Sequence, residues 1–200
     1  MKRKITTVVL TSTLLLPTAS AFADYQYTVV SGDTLWKIAV KTETGISELI
    51  AANTQIANIN LIYPGQKINI PTQDNIKAYE QEVIRLVNKE RTKQGLKELQ
   101  YDWELARVAR YKSEDMRDQN YFSHNSPIYG SPFDMIKNFG ISYKAAAENI
   151  AKGQTTPEQV VQSWMNSSGH RANILSTKYT HIGVGYAKEG HIWTQQFISK

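Results

Sequence analysis

The spacing of apolar residues divides the chain in two. Between Tyr25 and Pro71 the runs are short. "YQYTVV" reads as a strand, "SGDTLWKIAVKT" as a turn and helix, "GISELIAANT" as a second helix and "QKINIP" as a second strand. Leu35, Ile38 and Ala39 share a face of the first helix, and Ile46, Leu49 and Ile50 a face of the second. Pro64-Gly65 marks a turn before the last strand. A polar, proline-led joint follows, taken as residues 72–77, and the periods then lengthen. Ile76, Tyr79, Val83, Ile84 and Val87 form a helical stripe stopped by Gly95. Leu105, Val108, Ala109 and Met116 form another, behind Asp102 as N-cap. Ser131-Pro132 opens a short helix ending near Gly140. Thr156-Pro157 opens one with a capping box to Gln159 and with Val160, Val161 and Trp164 facing inward. "HIGVGYA" and "HIWTQQFI" alternate as strands joined at Glu189-Gly190. The expected fold class is α/β (α+β): a small strand–helix–helix–strand module (24–71), then a layered α-β-α domain (78–200).

Residues 1–23 fit neither pattern. "MKRK" is a basic start, "ITTVVLTSTLLLP" an apolar stretch and "ASAFA" a small-x-small cleavage pattern, which predicts a signal peptide cut after Ala23. Thr6, Thr7, Thr11, Ser12 and Thr13 interrupt the stretch, which falls short of the ~18 apolar residues of a membrane span. An exported product without a transmembrane anchor is expected. Lys2, Arg3 and Lys4 supply three of the formal +5 charges and the segment holds no acid, so the exported chain carries +2. No basic stripe stands out elsewhere, and no nucleic-acid partner is expected. The chain has no cysteine, which excludes a disulfide framework and thiolate chemistry.

In the first module, "YTVVSGDTLWKIA" followed by "LIYPGQKINIP" resembles a LysM domain. The resemblance implies binding of peptidoglycan or another N-acetylglucosamine glycan. The implied groove lies between Gly32, Asp33, Thr34 and Leu35 on one side and Asn60, Leu61, Ile62 and Tyr63 on the other. The residues alone also allow a plainer account, in which Gly32 and Asp33 make a turn and Leu35 and Ile62 are core.

In the second domain three polar groups stand out: His124 in "YFSHNSP", Glu148 in "AAAENIA" and His170 in "SSGHRANIL". A carboxylate among alanines needs a partner or a raised pKa. Gly169 reads as a helix stop and Ser168 as the cap of a new helix, whose dipole would keep His170 neutral, as suits a metal ligand or proton acceptor. "FSHNSP", "AENIAKG", "SWMNSSGHRANIL" and "HIGVGYA", in that order, resemble the CAP superfamily (cysteine-rich secretory proteins, antigen 5 and pathogenesis-related 1) in its bacterial YkwD-like branch. The resemblance implies an α-β-α sandwich with a cleft of two histidines and two glutamates, in which the histidines can hold zinc. His124, Glu148 and His170 match three of the four positions; the fourth fails, because Met165-Asn166-Ser167 follows Trp164. Arg171 either points away or balances Glu148. His181 and His191 are expected at the surface or hairpin, and Trp164, Trp193 and Phe197 in the core.

Two functions lead, and a third ranks last. One is a secreted, wall-associated protein, of the vegetative wall or the spore, with the CAP domain as an interaction or regulatory module that can take a protein partner. The other is a hydrolase with zinc on His124 and His170 and Glu148 as general base; two protein ligands are fewer than the three usual at catalytic zinc. A glycosidase using Glu148 needs a second carboxylate, for which Asp134 and Glu158 are the candidates. A buried hydrogen-bond network without any ligand is the plain alternative for the triad.

Overall fold

The computed structural model describes residues 25–72 and 74–200; the expected signal peptide lies outside them. β1 (Tyr25–Thr28) and β2 (Lys67–Ile70) pair antiparallel, Tyr25 opposite Ile70. Between them run α1 (Leu35–Thr42) and α2 (Ile46–Ala52). Thr34 caps α1, its side chain accepting from Lys37 N at 3.2 Å. Asn53 ties α2 to the sheet: its amide donates to Leu49 O (2.8 Å) and Asn69 O (2.7 Å) and accepts from Asn69 N (2.7 Å). Val29, Leu35, Ile38, Ala39, Leu49, Ile68 and Ile70 make the core. Ile50, expected on the inner face, is 36% exposed, because Leu49 takes that position and the next residue turns about 100° away.

α3 (Asp74–Lys93) starts inside the expected joint, so residues 74–77 are helix rather than linker. Asp and Asn suit helix starts as well as loops, and composition alone does not separate the two. The chain continues through β3 (Gln100–Tyr101), α4 (Trp103–Asp118), α5 (Pro132–Asn138), β4 (Ala145–Lys152), α6 (Pro157–Asn166), α7 (Ser168–Ile174), β5 (His181–Ala187) and β6 (Ile192–Ser199). The strands order β3-β5-β6-β4, antiparallel except for β3 with β5. Val83, Val87, Val160, Trp164 and Ile174 from α3, α6 and α7 pack on Ile182, Val184, Trp193 and Phe197 of one sheet face. Leu105 and Val108 of α4 meet Met135 and Ile136 of α5 and Ile198 on the other. The result is an α-β-α sandwich. Tyr79, expected on the inner stripe of α3, is 42% exposed, although its ring stacks on Tyr186 at 5.9 Å.

Two glycines of "HIGVGYA" set the distance between α4 and the sheet. A Cβ on Gly183 would stand 2.3 Å from Ala106 N, and one on Gly185 2.0 Å from Arg110 N. Backbone meets backbone there, and only glycine fits.

The two units are docked through α4. Arg107 Nε donates to Glu48 Oε1 (2.5 Å), and Nη2 donates to Glu48 Oε2 (2.9 Å) and Ser47 Oγ (2.7 Å), a two-pronged clamp from α4 to α2. Tyr101 OH donates to Glu43 Oε2 at 3.3 Å and Lys77 Nζ to Glu43 O at 3.3 Å.

Candidate functional site

Glu148 lies in β4, in register with Gln196 of β6, which itself pairs with Gly183 of β5. Since Gly183 faces α4, Glu148 and Gln196 face it too. The Glu148 side chain is 1% exposed. Its Oε1 is 2.8 Å from His124 Nδ1, and its Oε2 accepts from Gln196 Nε2 at 3.0 Å. A carboxylate that accepts from both sides puts the ring proton of His124 on Nδ1, and the lone pair of the neutral ring falls on Nε2. The His124 side chain is 52% exposed, so the cleft presents the imidazole and hides the carboxylate behind it.

The other face of β4 places His170. α6 ends and α7 begins at Ser167, whose extended backbone (φ −99°, ψ 122°) serves both helices. The break is therefore at Ser167: Gly169 lies inside α7, and Ser167, not Ser168, occupies the N-cap position, without a side-chain cap bond. Asn149, next to Glu148 and on the opposite face, donates to His170 O (3.1 Å) and Gln195 Oε1 (3.0 Å) and accepts from Asn173 Nδ2 (2.8 Å). At the far end of α7, buried Arg91 donates to Ile174 O (2.6 Å) and Ser176 O (2.8 Å). Arg91 supplies a cation where the helix dipole is negative. Burial lowers the His170 pKa, and the charge of His124 lowers it further.

Behind the cleft is a group that sequence reading missed. Lys112 of α4 is fully buried, its Nζ donating to Tyr121 OH at 2.9 Å. Tyr121 OH in turn donates to Asp115 Oδ2, which also accepts from Ser126 Oγ at 2.7 Å. Burial lowers the Lys112 pKa, opposed by the charges of Glu148 and Asp115. The available signal was a lysine at helical spacing from Val108 and Met116, on the inner face of an amphipathic helix.

Arg171 is exposed, and among the described residues it pairs with no carboxylate; Glu148 is met by His124 and Gln196 instead. Asp134 closes a capping box with Ser131 (2.6 Å), and Glu158 is exposed in the first turn of α6. Neither is placed as a partner carboxylate. His181 bonds Thr180 Oγ1 and His191 bonds Tyr186 OH, both outside the triad. A zinc site would have His124 Nε2 and a His170 nitrogen as donors, with Glu148 occupied in orienting His124. Among the described residues no group of three His, Cys, Asp or Glu side chains can hold a metal ion, so the donor set does not fit a three-ligand catalytic zinc.

In the first domain a groove lies at the N-terminus of α1, lined by Asp33, Thr34, Leu35, Trp36, Ile46, Ile59, Asn60 and Ile62. Leu35 is buried and forms its floor. Asp33 shapes the turn: its Oδ2 accepts from Val30 N (2.9 Å) and Tyr27 OH (2.9 Å), bonds that hold its pKa down. Gly32, at φ 87°, makes the same turn from outside the groove, and Leu61 and Tyr63 are exposed beside it. Trp36, 57% exposed on the groove wall, was not among the expected residues. It sits one position off the buried stripe, where helical periodicity predicts solvent.

Comparisons with known proteins follow the same division. The model of the cysteine-rich secretory protein family (CAP) matches residues 84–197, and the LysM domain model matches residues 27–71. The chain is 63% identical to the protein YkwD of Bacillus subtilis (strain 168) over 137 residues, 68% of this chain and 53% of that protein. It spans about half the length of that relative. A crystal structure of an extracellular protein containing a SCP domain from Bacillus anthracis str. Ames superposes with TM-score 0.61 at 36% identity, covering 68% of this chain and 47% of that one. In the first domain, 54 residues (27% of this chain) are 46% identical to the probable autolysin SsaALP of Staphylococcus aureus (strain NCTC 8325 / PS 47), of which they cover 20%. The chain belongs to the cysteine-rich secretory protein (CAP) family and carries a LysM domain ahead of its CAP domain.

Proposed function

We propose that this protein is secreted, holds peptidoglycan or another N-acetylglucosamine glycan in its LysM groove, and presents the CAP domain as an interaction or regulatory module in wall metabolism. The groove carries this reading. An exposed tryptophan beside an apolar floor and the polar Thr34 and Asn60 form an amphipathic slot for a sugar ring. The similarity to a protein named as an autolysin supports a wall setting. The test incubates residues 24–200 with purified peptidoglycan sacculi, pellets them, and assays the supernatant for released reducing ends and free amino groups. Co-sedimentation without release is expected; a chain that stays in solution sinks the glycan reading.

The second reading, a wall hydrolase, draws on the His124–Glu148 pair. An exposed imidazole oriented by a buried carboxylate is equipped to take a proton from water, so the general-base role passes from Glu148 to His124. Release of wall fragments that vanishes in the His124→Ala, His170→Ala double variant would make this the function.

A further inference from the structure

Where the LysM domain docks on the CAP domain, the two enclose a recess of about 260 Å³. Its CAP wall is one stripe of α4 at helical spacing, Trp103, Arg107, Arg110, Tyr111 and Glu114, pointing away from the sheet that Leu105, Val108, Ala109 and Lys112 face. Its LysM wall is Gly45, Glu48 and Ala52, again one face of a helix, while Ile46 turns into the LysM groove. Tyr101 stands at the rim, 38% exposed.

The chemistry of the lining narrows the occupant. The cations of the lining are already engaged, Lys77 with Glu43 O, Arg107 with Glu48 and Arg110 with the buried Glu80, so the recess suits a neutral guest rather than an anion. Two aromatic rings, from Tyr101 and Trp103, offer flat apolar faces with polar edges, while the Tyr111 ring is covered by Arg107 at 5.2 Å and Phe139 at 5.3 Å. The Glu114 carboxylate makes no hydrogen bond among the described residues, and burial raises its pKa. The Arg107–Glu48 clamp holds the walls in place before any ligand arrives, and ligand clefts favour such domain boundaries. The volume lies just under the roughly 300–1,000 Å³ of drug-sized sites, room for one ring rather than a chain. A neutral molecule with apolar ring faces and hydroxyl or amide edges fits all of these terms.

We propose that the junction recess is a second glycan subsite, taking one N-acetylhexosamine unit between the aromatic side chains of β3 and α4 and the carboxylates of Glu43 and Glu114. The site deepens the glycan-binding reading above and rests on it. Four tryptophans report the two sites separately, because Trp164 and Trp193 are fully buried, Trp36 lines the LysM groove and Trp103 lines the recess. The experiment titrates residues 24–200 with N-acetylglucosamine oligomers and follows the four indole N–H resonances. Both Trp36 and Trp103 shift, and Tyr101→Ala weakens the Trp103 response at least tenfold while the Trp36 curve holds. Glu114→Gln, which keeps the side-chain shape, weakens it in the same direction. A Trp103 signal that stays fixed while Trp36 saturates overturns the subsite and leaves the groove reading standing. Silence at both removes the groove reading too. A Trp103 shift with a stem peptide of the wall, and none with sugar, overturns the proposal in favour of a peptide site.

Discussion

Lys112→Met tests whether the buried lysine holds the cleft together. Methionine keeps the unbranched stem and most of its packing, but removes the ammonium. What remains is Glu148, with 1% of its side chain exposed, and Asp115, 6% exposed, both without the nearby cation. Lys112 Nζ bonds Tyr121 OH and acts on the two carboxylates as a nearby charge rather than through an ion pair, so the cost of about 3–5 kcal/mol for breaking a buried pair from one side is an upper bound. Relief of the lysine's own desolvation offsets part of this, so a loss of about 3 kcal/mol is expected at neutral pH. At ~2–4 °C per kcal/mol for a chain of this size, the midpoint of thermal unfolding drops by about 6–12 °C. Scanning calorimetry reads the shift, and a double-variant cycle with Glu148→Gln reads its origin. Removing the carboxylate should recover about 1–3 kcal/mol of the loss. A Lys112→Met protein within about 1 kcal/mol of the parent, or strictly additive variants, would refute the idea that Lys112 balances Glu148.

The same structure makes three further predictions. Gly185→Ala forces a Cβ against the backbone of α4 at Ala109 and Arg110 and should cost about 3 kcal/mol or more, read by denaturant unfolding; a neutral change would mean that the helix can lift off β5 freely. His170 should titrate below the usual 6.5, and His124→Ala should move it back upward, both followed by ring-proton NMR. With its folded pKa depressed, neutral His170 contributes stability that is complete above 6.5 and lost as pH falls through the folded value, so His170→Ala should flatten stability over that window. Trp36→Ala should leave stability within about 0.5 kcal/mol, since the ring is 57% exposed, yet weaken binding to sacculi at least tenfold in a pelleting assay.

Much of the architecture was legible because its helices are amphipathic and their caps are spelled out. Asp102 and Ser131 cap where polar residues precede apolar stripes. Thr156 does so only in part: its Oγ1 accepts from Gln159 N, but Gln159 Oε1 turns to Thr155 N. β4 was not legible as a strand. Ala147 to Ala151 are buried on both faces, so the segment lacks the alternation that marks a half-exposed strand, and three alanines read more easily as helix. The triad itself was visible as residue types in motifs. Its geometry was not, because whether Glu148 faces a histidine or an arginine depends on strand register, and register is set by residues of β6 and β5 far along the chain. The clamp between the domains was hidden for the same reason: Glu48 and Arg107 are exposed-looking charges 59 positions apart.

The brevity of the connection between the two domains bounds how far the CAP cleft can stand from the LysM groove. β2 ends at Ile70 and α3 begins at Asp74, leaving three residues that span about 10 Å when fully drawn out. On the proposed function, a molecule gripping a glycan strand by its LysM groove has a leash shorter than its own body. Whatever meets the His124 ring is drawn from the immediate neighbourhood of that strand, met at high local concentration. On that reading, material a few strands away is out of reach until the grip is released, and the dwell time of the LysM groove on its strand sets how long the CAP cleft samples one neighbourhood.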